Sequence, residues 1–373
     1  MLLTTLVVVL AFRLFYRFWS GRCSSKRSLA GKTVVVTGAS AGIGKEAAKD
    51  FLRRRARVIL ACRNLEKAQK VAEELVAETG NPEVAVRRLD TADLASVRAF
   101  AEEFLRTEDA LHVLVNNAGI AGARTRQETK DGLELTMATN HFGHFLLTNL
   151  LLKRLQESAP SRVVTVSSAA HMVVRKLDPR DLNLSASYGS MQAYGLSKLC
   201  NILFAAELAE RLRGTGVTSN SLHPGAVGHR VLPTTPPFYS KLTPSDPNCP
   251  SHIPVSSRRQ DSELGAQTTI HLAVSEDLDR VSGKYFEDCR KRFYAVSRVA
   301  LGIRLQHGAK VSGTSLGGSC TAPSRVSGEG LSSSESYGKE ATPTRIARDR
   351  AVAKSVWEVS EALVNLRPSE VNY

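Results

Sequence analysis

A phenol and an ammonium four residues apart are the groups in this chain best placed to do chemistry. Tyr194 and Lys198 stand in the run Ala193-Tyr194-Gly195-Leu196-Ser197-Lys198, and on a helix that spacing puts both on one face. A tyrosine hydroxyl works as a general acid or base near neutral pH only if its proton affinity falls. An adjacent ammonium does this by favouring the phenolate. Upstream, Ser167-Ser168 closes the β-branched run RVVTV at 162–166, and a serine hydroxyl there can hydrogen-bond the oxygen of a reacting carbonyl. By itself a Tyr/Lys pair at this spacing is common on helix surfaces. It gains weight from what precedes it in order: a glycine-rich turn, a strand-end amide pair and a strand-end serine.

The glycine-rich turn is Thr37-Gly38-Ala39-Ser40-Ala41-Gly42-Ile43-Gly44, which joins a first strand pattern directly to a first helix pattern. Gly38, Gly42 and Gly44 let the backbone bend sharply and approach a pyrophosphate, and the following helix N-terminus offers N–H groups and a positive dipole end. Three residues separate the first two glycines, unlike the usual G-x-G-x-x-G, but the placement between strand and helix is what gives the motif its meaning. The second strand pattern ends in Cys62-Arg63-Asn64, with Lys67 following. An acidic residue there would take the ribose 2′-hydroxyl of NAD, whereas a cation suits the 2′-phosphate of NADP(H). The plainer alternative for Arg63 is a solvated side chain at a helix start. Asp90 closes the third strand pattern and either accepts from an adenine amino group or caps the next helix, a role that Asp93 fits better. Asn116-Asn117-Ala118-Gly119 ends the fourth, either bracing the cofactor loop or simply turning the chain. His141, His144 and His171 lack a further ligand at metal spacing and read as structural, so no metal site is expected.

Elements must hold these residues, and the hydrophobic pattern supplies them. The spacing predicts strands at 33–37, 57–61, 84–89, 111–115, 162–166 and 217–222, with a seventh at 283–286. Helices are expected over 42–55, 65–78, 93–105, 133–155, 193–213 and 262–274. Strands apolar on both faces, alternating with helices, imply an α/β fold: a doubly wound parallel sheet of the Rossmann type with its ligand crevice at the carboxyl ends of the strands. The alternation breaks after Pro224. Residues 232–260 are rich in Pro and Ser and cannot form a regular helix. Residues 308–344 are Gly/Ser-rich without periodicity and are predicted to be disordered. A last amphipathic helix carries Val352, Val356, Val359, Leu363 and Leu366 on one face.

Of the 373 residues, 50 are Lys or Arg and 36 Asp or Glu, a formal net charge of +14. The charge is dispersed and accompanied by no recognition motif, which argues against nucleic acid and for a membrane surface. The six cysteines, Cys23, Cys62, Cys200, Cys249, Cys289 and Cys320, form no metal-spaced pairs and read as free thiols. Residues 1–12 are almost purely apolar, and the apolar-aromatic stretch continues to Trp19 past Arg13 and Arg17. That is just long enough to anchor the chain in a bilayer if both arginines reach the interface. Arg22, Lys26 and Arg27 follow and favour a cytoplasmic position for what comes after. The rival reading is a mitochondrial address, since the first acidic residue is Glu46. The organisation expected is thus an anchor with a basic flank at 1–30, a Rossmann domain at 31–290, a low-complexity insertion at 291–345 and a C-terminal helix at 346–373.

From Lys32 to about Cys289 the chain resembles the short-chain dehydrogenase/reductase family, in its retinol dehydrogenase-like branch. The residues that carry the likeness are TGASAGIG at 37–44, ACRN at 61–64, NNAG at 116–119, NHFGHFLLTNLLL at 140–152, VSSAAH at 166–171, YGLSK at 194–198 and HPG at 223–225. The resemblance implies a seven-stranded sheet and a catalytic tetrad of Asn140, Ser168, Tyr194 and Lys198, with Asn140 holding a water that relays protons from Lys198. It implies NADP(H) bound by Gly38, Ser40, Gly42, Ile43, Gly44, Arg63, Asn64, Asp90, Asn117, Ala118, Gly119, Tyr194, Lys198, Pro224 and Gly225. It also implies a lipophilic alcohol/carbonyl substrate such as a retinoid, an endoplasmic reticulum membrane location facing the cytosol, and a homodimer formed through helices. Two departures stand out. His229 falls where the family has Thr or Ser, and the Pro/Ser-rich 232–260 replaces an apolar lid. A Rossmann-fold binding or scaffold protein that has lost productive substrate binding is therefore the competing expectation.

Overall fold

Seven strands lie side by side in the order β3-β2-β1-β4-β5-β6-β7, every neighbouring pair parallel. The structure is a computed structural model and describes residues 21–225, 262–289 and 343–373. The expected anchor up to residue 20, His229, the Pro/Ser-rich stretch and nearly all of the low-complexity insertion lie outside those residues. The strands are β1 (Thr33–Thr37), β2 (Arg57–Cys62), β3 (Val84–Arg88), β4 (Val113–Asn116), β5 (Ser161–Val166), β6 (Val217–His223) and β7 (Tyr285–Glu287). The helices between them are α1 (Gly42–Arg53), α2 (Leu65–Thr79), α3 (Leu94–Thr107), α4 (Gly143–Glu157), α5 (Ser190–Arg211) and α6 (Ser262–Val274), and α7 (Arg350–Leu363) follows β7.

The strands form because their side chains are apolar on both sides of the pleat, which only a sheet covered on both faces can bury. Successive residues enter opposite cores. Val35, Leu114 and Val163 join the core made with α3, α4, α5 and α7, whereas Val34, Val36, Val113, Val115 and Val164 join the core made with α1, α2 and α6. Each such side chain, fully buried, contributes roughly 1.5–3 kcal/mol. Strand β1 pairs with β2 on one side and β4 on the other. Chain order therefore reverses at β1, and the crevice opens at the carboxyl ends of β1 and β4.

Helix ends follow local chemistry. Asn64 caps α2 and Gly80, at φ +69°, closes it. Asp93 caps α3 through the N–H groups of Ala95 and Ser96, and Asp349 caps α7. One element differs from its expectation. The single helix expected over 133–155 is a turn at Leu135–Met137, a π-helical turn at Ala138–Phe142, and then α4. The apolar period runs unbroken through this region, so pattern alone gives no sign of the wider turn. Gly143, just after it, lies so close to the Thr91 carbonyl that a Cβ would collide with it.

Helix α7 packs its apolar face on α4 and α5. The buried Trp357 ring stacks on Phe204 at 5.7 Å and meets Phe145 edge-on at 4.8 Å. The Arg211 guanidinium lies 4.4 Å from the Trp357 ring centroid and 4.5 Å from that of Tyr373. Among the described residues, no helix is long and apolar enough to cross a membrane.

Candidate active site

The crevice is bounded first by backbone. Gly38 and Gly42 sit at φ +67° and +59°, in the left-handed region that L side chains resist. A Cβ on Gly38 would stand 2.9 Å from Ala118 Cα, and one on Gly44 2.6 Å from Asn117 Nδ2. Side chains at these positions would push the β1 and β4 ends apart. Helix α1 then begins without a side-chain cap at Ala41 and without an acidic residue in its first turn. Its leading N–H groups are thus available to an anion. A dinucleotide's pyrophosphate fits such an end.

Thr37 joins the two sides of the crevice. Its hydroxyl oxygen accepts the backbone N–H groups of Asn117 and Ala118, both at 2.9 Å, and its carbonyl accepts Asn117 Nδ2 at 2.8 Å. The hydroxyl also lies 2.9 Å from His144 Nε2. His144 Nδ1 faces the Asn140 carbonyl at 3.1 Å, which can only accept, so Nδ1 carries the proton and Nε2 receives that of Thr37. Burial holds this imidazole neutral, lowering its pKa to about 4. The sequence pattern sets Thr37 at the head of the glycine turn but gives it no role, and it marks His144 only as structural. A threonine closing the strand before the glycine turn was the available signal.

The nucleotide-side residues are placed as follows. Arg63 is exposed at the end of β2 and, among the described residues, pairs with no carboxylate. Asn64 Oδ1 accepts the Lys67 N–H at 2.8 Å, so its oxygen caps α2. Asp90 Oδ1 accepts the Ala92 N–H at 3.0 Å, forming a turn, while Asp93 does the capping. Ser40 touches the buried Cys62 thiol, and Ile43 is buried in the first turn of α1. Pro224 and Gly225 follow β6, with Gly225 at φ +83°.

The four residues of the expected tetrad come from three places: the π-helical turn, the end of β5 and helix α5. Tyr194 and Lys198 share a face of α5, with Lys198 Nζ 5.7 Å from the Tyr194 ring centroid. Nζ donates to the Val166 carbonyl at 3.1 Å, and burial lowers its pKa to about 8. A Cβ on Gly119 would lie 3.2 Å from Asn140 Oδ1 and 3.5 Å from Lys198 Nζ. The amide turn, Asn140 and the ammonium therefore converge on one spot. Asn140 Oδ1 accepts the Ile120 N–H at 2.8 Å, and its Nδ2 donates to the Ile120 carbonyl and to Ser197 Oγ, both at 3.0 Å. That side chain braces the loop after the amide turn. Ser167 Oγ donates to the Lys198 carbonyl at 2.6 Å, whereas Ser168 Oγ only accepts, from the Ala170 N–H at 3.2 Å. Of the two serines, only Ser167 spends its proton on an acceptor among the described residues.

Gly195 lies within the Tyr/Lys motif, and its own role shows only in the packing. A Cβ there would come within 2.5 Å of Val173 Cγ2 and 2.8 Å of the Ala170 carbonyl, so only glycine lets α5 bring Tyr194 up to the segment that follows Ser168. The three histidines are all engaged within the fold. His144 bonds as above, His171 Nδ1 lies 2.8 Å from the Ser168 carbonyl, and His141 lies between Asn201 and Ser360. The four cysteines among the described residues, Cys23, Cys62, Cys200 and Cys289, are free thiols.

A family model described as short chain dehydrogenase matches residues 32–235. Retinol dehydrogenase 12 of Mus musculus is 47% identical over 281 residues, 75% of this chain and 85% of that protein. Retinol dehydrogenase 11 of Homo sapiens is 46% identical over 279 residues, 72% of this chain and 81% of that protein. Among solved structures, an uncharacterised protein from Mycobacterium paratuberculosis matches with TM-score 0.64 at 29% identity, covering 93% of this chain and 98% of its own. A Pseudomonas aeruginosa RhlG/NADP complex matches with TM-score 0.54 at 27% identity, covering 70% of this chain and 95% of its own. The chain belongs to the short-chain dehydrogenase family, in its retinol dehydrogenase-like branch. It is accordingly an oxidoreductase whose crevice serves a nicotinamide cofactor.

Proposed function

We propose that this protein is an NADP(H)-dependent reductase/dehydrogenase that interconverts a lipophilic alcohol with its carbonyl, with Tyr194 as the general acid/base. The observation that carries the reading is the convergence of the buried Lys198 ammonium with Tyr194 and Asn140 at the carboxyl edge of the sheet. Gly38, Ser40, Gly42, Ile43 and Gly44 would hold the pyrophosphate, Asn117, Ala118 and Gly119 the nicotinamide half, and Asp90 the adenine. Arg63, a cation with no acidic partner among the described residues, would take the 2′-phosphate, with Asn64 beside it, and Pro224 and Gly225 would close the far side. The bound cofactor supplies the hydride that the carbonyl carbon receives.

The chain's own side chains do the rest. Ser168 donates a hydrogen bond to the carbonyl oxygen. Tyr194 gives that oxygen its proton in reduction and takes it back in oxidation. Lys198 stabilises the phenolate left behind. Asn140 holds the water through which Lys198 exchanges protons with solvent. Met172 and Val173, exposed by 57% and 47%, offer an apolar lip beside the site, and Val173 touches Gly195 next to Tyr194. This supports a lipophilic substrate, and the names of the similar retinol dehydrogenases support a retinoid. The apolar N-terminus with its following cations supports an anchor in the endoplasmic reticulum membrane, with the catalytic domain in the cytosol.

The test is NADPH oxidation by the purified full-length chain with all-trans-retinal and with simple aldehydes, run beside NADH. Turnover that prefers NADPH and is lost in Tyr194→Phe is the expected result. If the cofactor binds but no carbonyl is reduced, and Tyr194→Phe changes nothing, the protein is a non-catalytic Rossmann-fold binder. A preference for NADH removes the role given to Arg63.

A further inference from the structure

The residue after Asn140 is a histidine with no part in the reaction described above. His141 is 1% exposed, and burial lowers its pKa to about 3, so it is neutral. Its Nε2 lies 3.0 Å from Ser360 Oγ on α7 and its Nδ1 3.3 Å from Asn201 Oδ1 on α5. Asn201 Nδ2 in turn donates at 3.1 Å to the Val166 carbonyl, the same oxygen that accepts from Lys198 Nζ at 3.1 Å.

The directions of these bonds follow from what each atom can do. Asn201 Nδ2 serves a carbonyl, so Oδ1 is the atom facing His141 and can only accept. His141 Nδ1 therefore carries the ring's single proton, and Nε2 offers a lone pair. The Ser360 hydroxyl donates at 2.7 Å to the Val356 carbonyl one helical turn back, and its oxygen sits 3.0 Å from Nε2. Contacts thus run from Ser360 through His141 and Asn201 to Val166, with His141 donating to Asn201 and Asn201 to Val166.

We infer that Ser360, His141 and Asn201 are positioning residues for Lys198, which makes the C-terminal helix α7 part of the catalytic apparatus. The inference rests on the role given to Lys198 under the proposed function. With Asn201 present, the Val166 carbonyl is shared and the positive end of the Asn201 amide lies beside the ammonium. Lys198 is then held loosely enough to serve Tyr194. Without that amide the carbonyl belongs to Lys198 alone, which keeps its proton more tightly and is drawn away from the phenol. The titratable groups facing Lys198 are the Tyr194 phenol on its own helix and the His144 ring from α4, neutral at working pH. Among the described residues, no carboxylate pairs with it.

The experiment compares the full-length parent with Asn201→Ala, Ser360→Ala and Trp357→Phe, the last loosening α7 without touching the line. In cofactor-free protein, the pH midpoint for acetylation of Lys198 by trace acetic anhydride is read by peptide mass spectrometry. The midpoint is expected to rise by about one pH unit in Asn201→Ala, by less in Ser360→Ala, and not at all in Trp357→Phe. The acid limb of kcat/KM for alcohol oxidation should move up in the same order. If both line variants lower Tm while midpoint and limb coincide with the parent, the line is packing only and the inference fails. Should Asn201→Ala not fold, Ser360→Ala, which removes a single hydroxyl, decides. Loss of the enzyme reading would look different: a parent without turnover whose Lys198 midpoint still moves in the variants.

Discussion

The two sides of the crevice are built from opposite materials. The side at β1 and β4 is made of backbone and of missing side chains: Gly38 and Gly42 at positive φ, Gly44 against Asn117, and bare N–H groups opening α1. The side at β5 and α5 is made of buried polar side chains that hold one another, with Lys198, Asn140, Ser167 and Asn201 all buried. In the proposed function the first would cradle a ligand by leaving room. The second would perform chemistry by keeping charge and hydroxyls away from water, where each group needs a partner. Substitutions should therefore fail differently on the two sides.

The largest effect belongs to the polar side. Tyr194→Phe keeps the ring and removes the proton, so kcat should fall by about 10²–10⁴-fold with Tm within a degree or so of the parent, checked by steady-state kinetics and calorimetry. Next is the backbone side. Gly38→Ala places a methyl at φ +67° and 2.9 Å from Ala118 Cα, so cofactor Kd should rise at least about tenfold, with a loss of stability near 1–3 kcal/mol. Gly80→Ala is the sharpening control, since it has φ +69° and nothing within 4 Å of the added methyl. It should lower stability by about 1 kcal/mol and leave cofactor titrations unchanged. If the two variants weaken cofactor equally, the contrast between the sides is wrong. Smaller again is Arg63→Ala. Losing a charge-assisted bond worth about 1.5–3 kcal/mol should cut the NADPH-to-NADH preference by roughly 10–100-fold, measured as a ratio of kcat/KM values.

The contrast also accounts for what the sequence discloses. Backbone needs are written locally: a glycine that must be glycine, and an Asp93 set before an apolar run, can be read in place, and the strand pattern gives the parallel sheet to within two residues at each strand end. Buried polar partnerships are not local. Ser360 and His141 are 219 positions apart, and nothing near either names the other. Asn140 is legible through its motif, but its clamp on Ile120 is not, because any nearby backbone could have satisfied the amide. The role of Thr37 is not legible, because a threonine ending a strand is ordinary until the opposite strand end is known. The π-helical turn at Ala138–Phe142 escaped because it does not interrupt the apolar period.

The last difference between the sides is in how stability depends on pH. On the polar side, burial lowers the pKa of His144 and His223 to about 4 and that of His141 to about 3, all below the unfolded value near 6.5. The unfolded chain takes up protons first, so stability from these groups is complete above pH 6.5 and falls as pH drops toward 4. Lys198 is also lowered, to about 8, against about 10.4 unfolded. Below pH 8 its buried charge carries the full penalty, and between 8 and 10.4 the penalty lifts as the folded state releases its proton first. Replacing it with an apolar residue should therefore raise Tm at pH 7 by several degrees, for a relief of order 3 kcal/mol, while abolishing turnover. Above pH 9 the thiols of the buried Cys200 and the half-buried Cys289, whose pKa values are raised, oppose the gain in stability, so the variant-minus-parent difference is the quantity to follow. In Lys198→Met it should be positive and level below pH 8 and shrink toward zero by about pH 10. A difference that is negative at pH 7 would mean that the ammonium is matched to its surroundings in the resting protein, and that this side of the crevice is not held under tension for its chemistry.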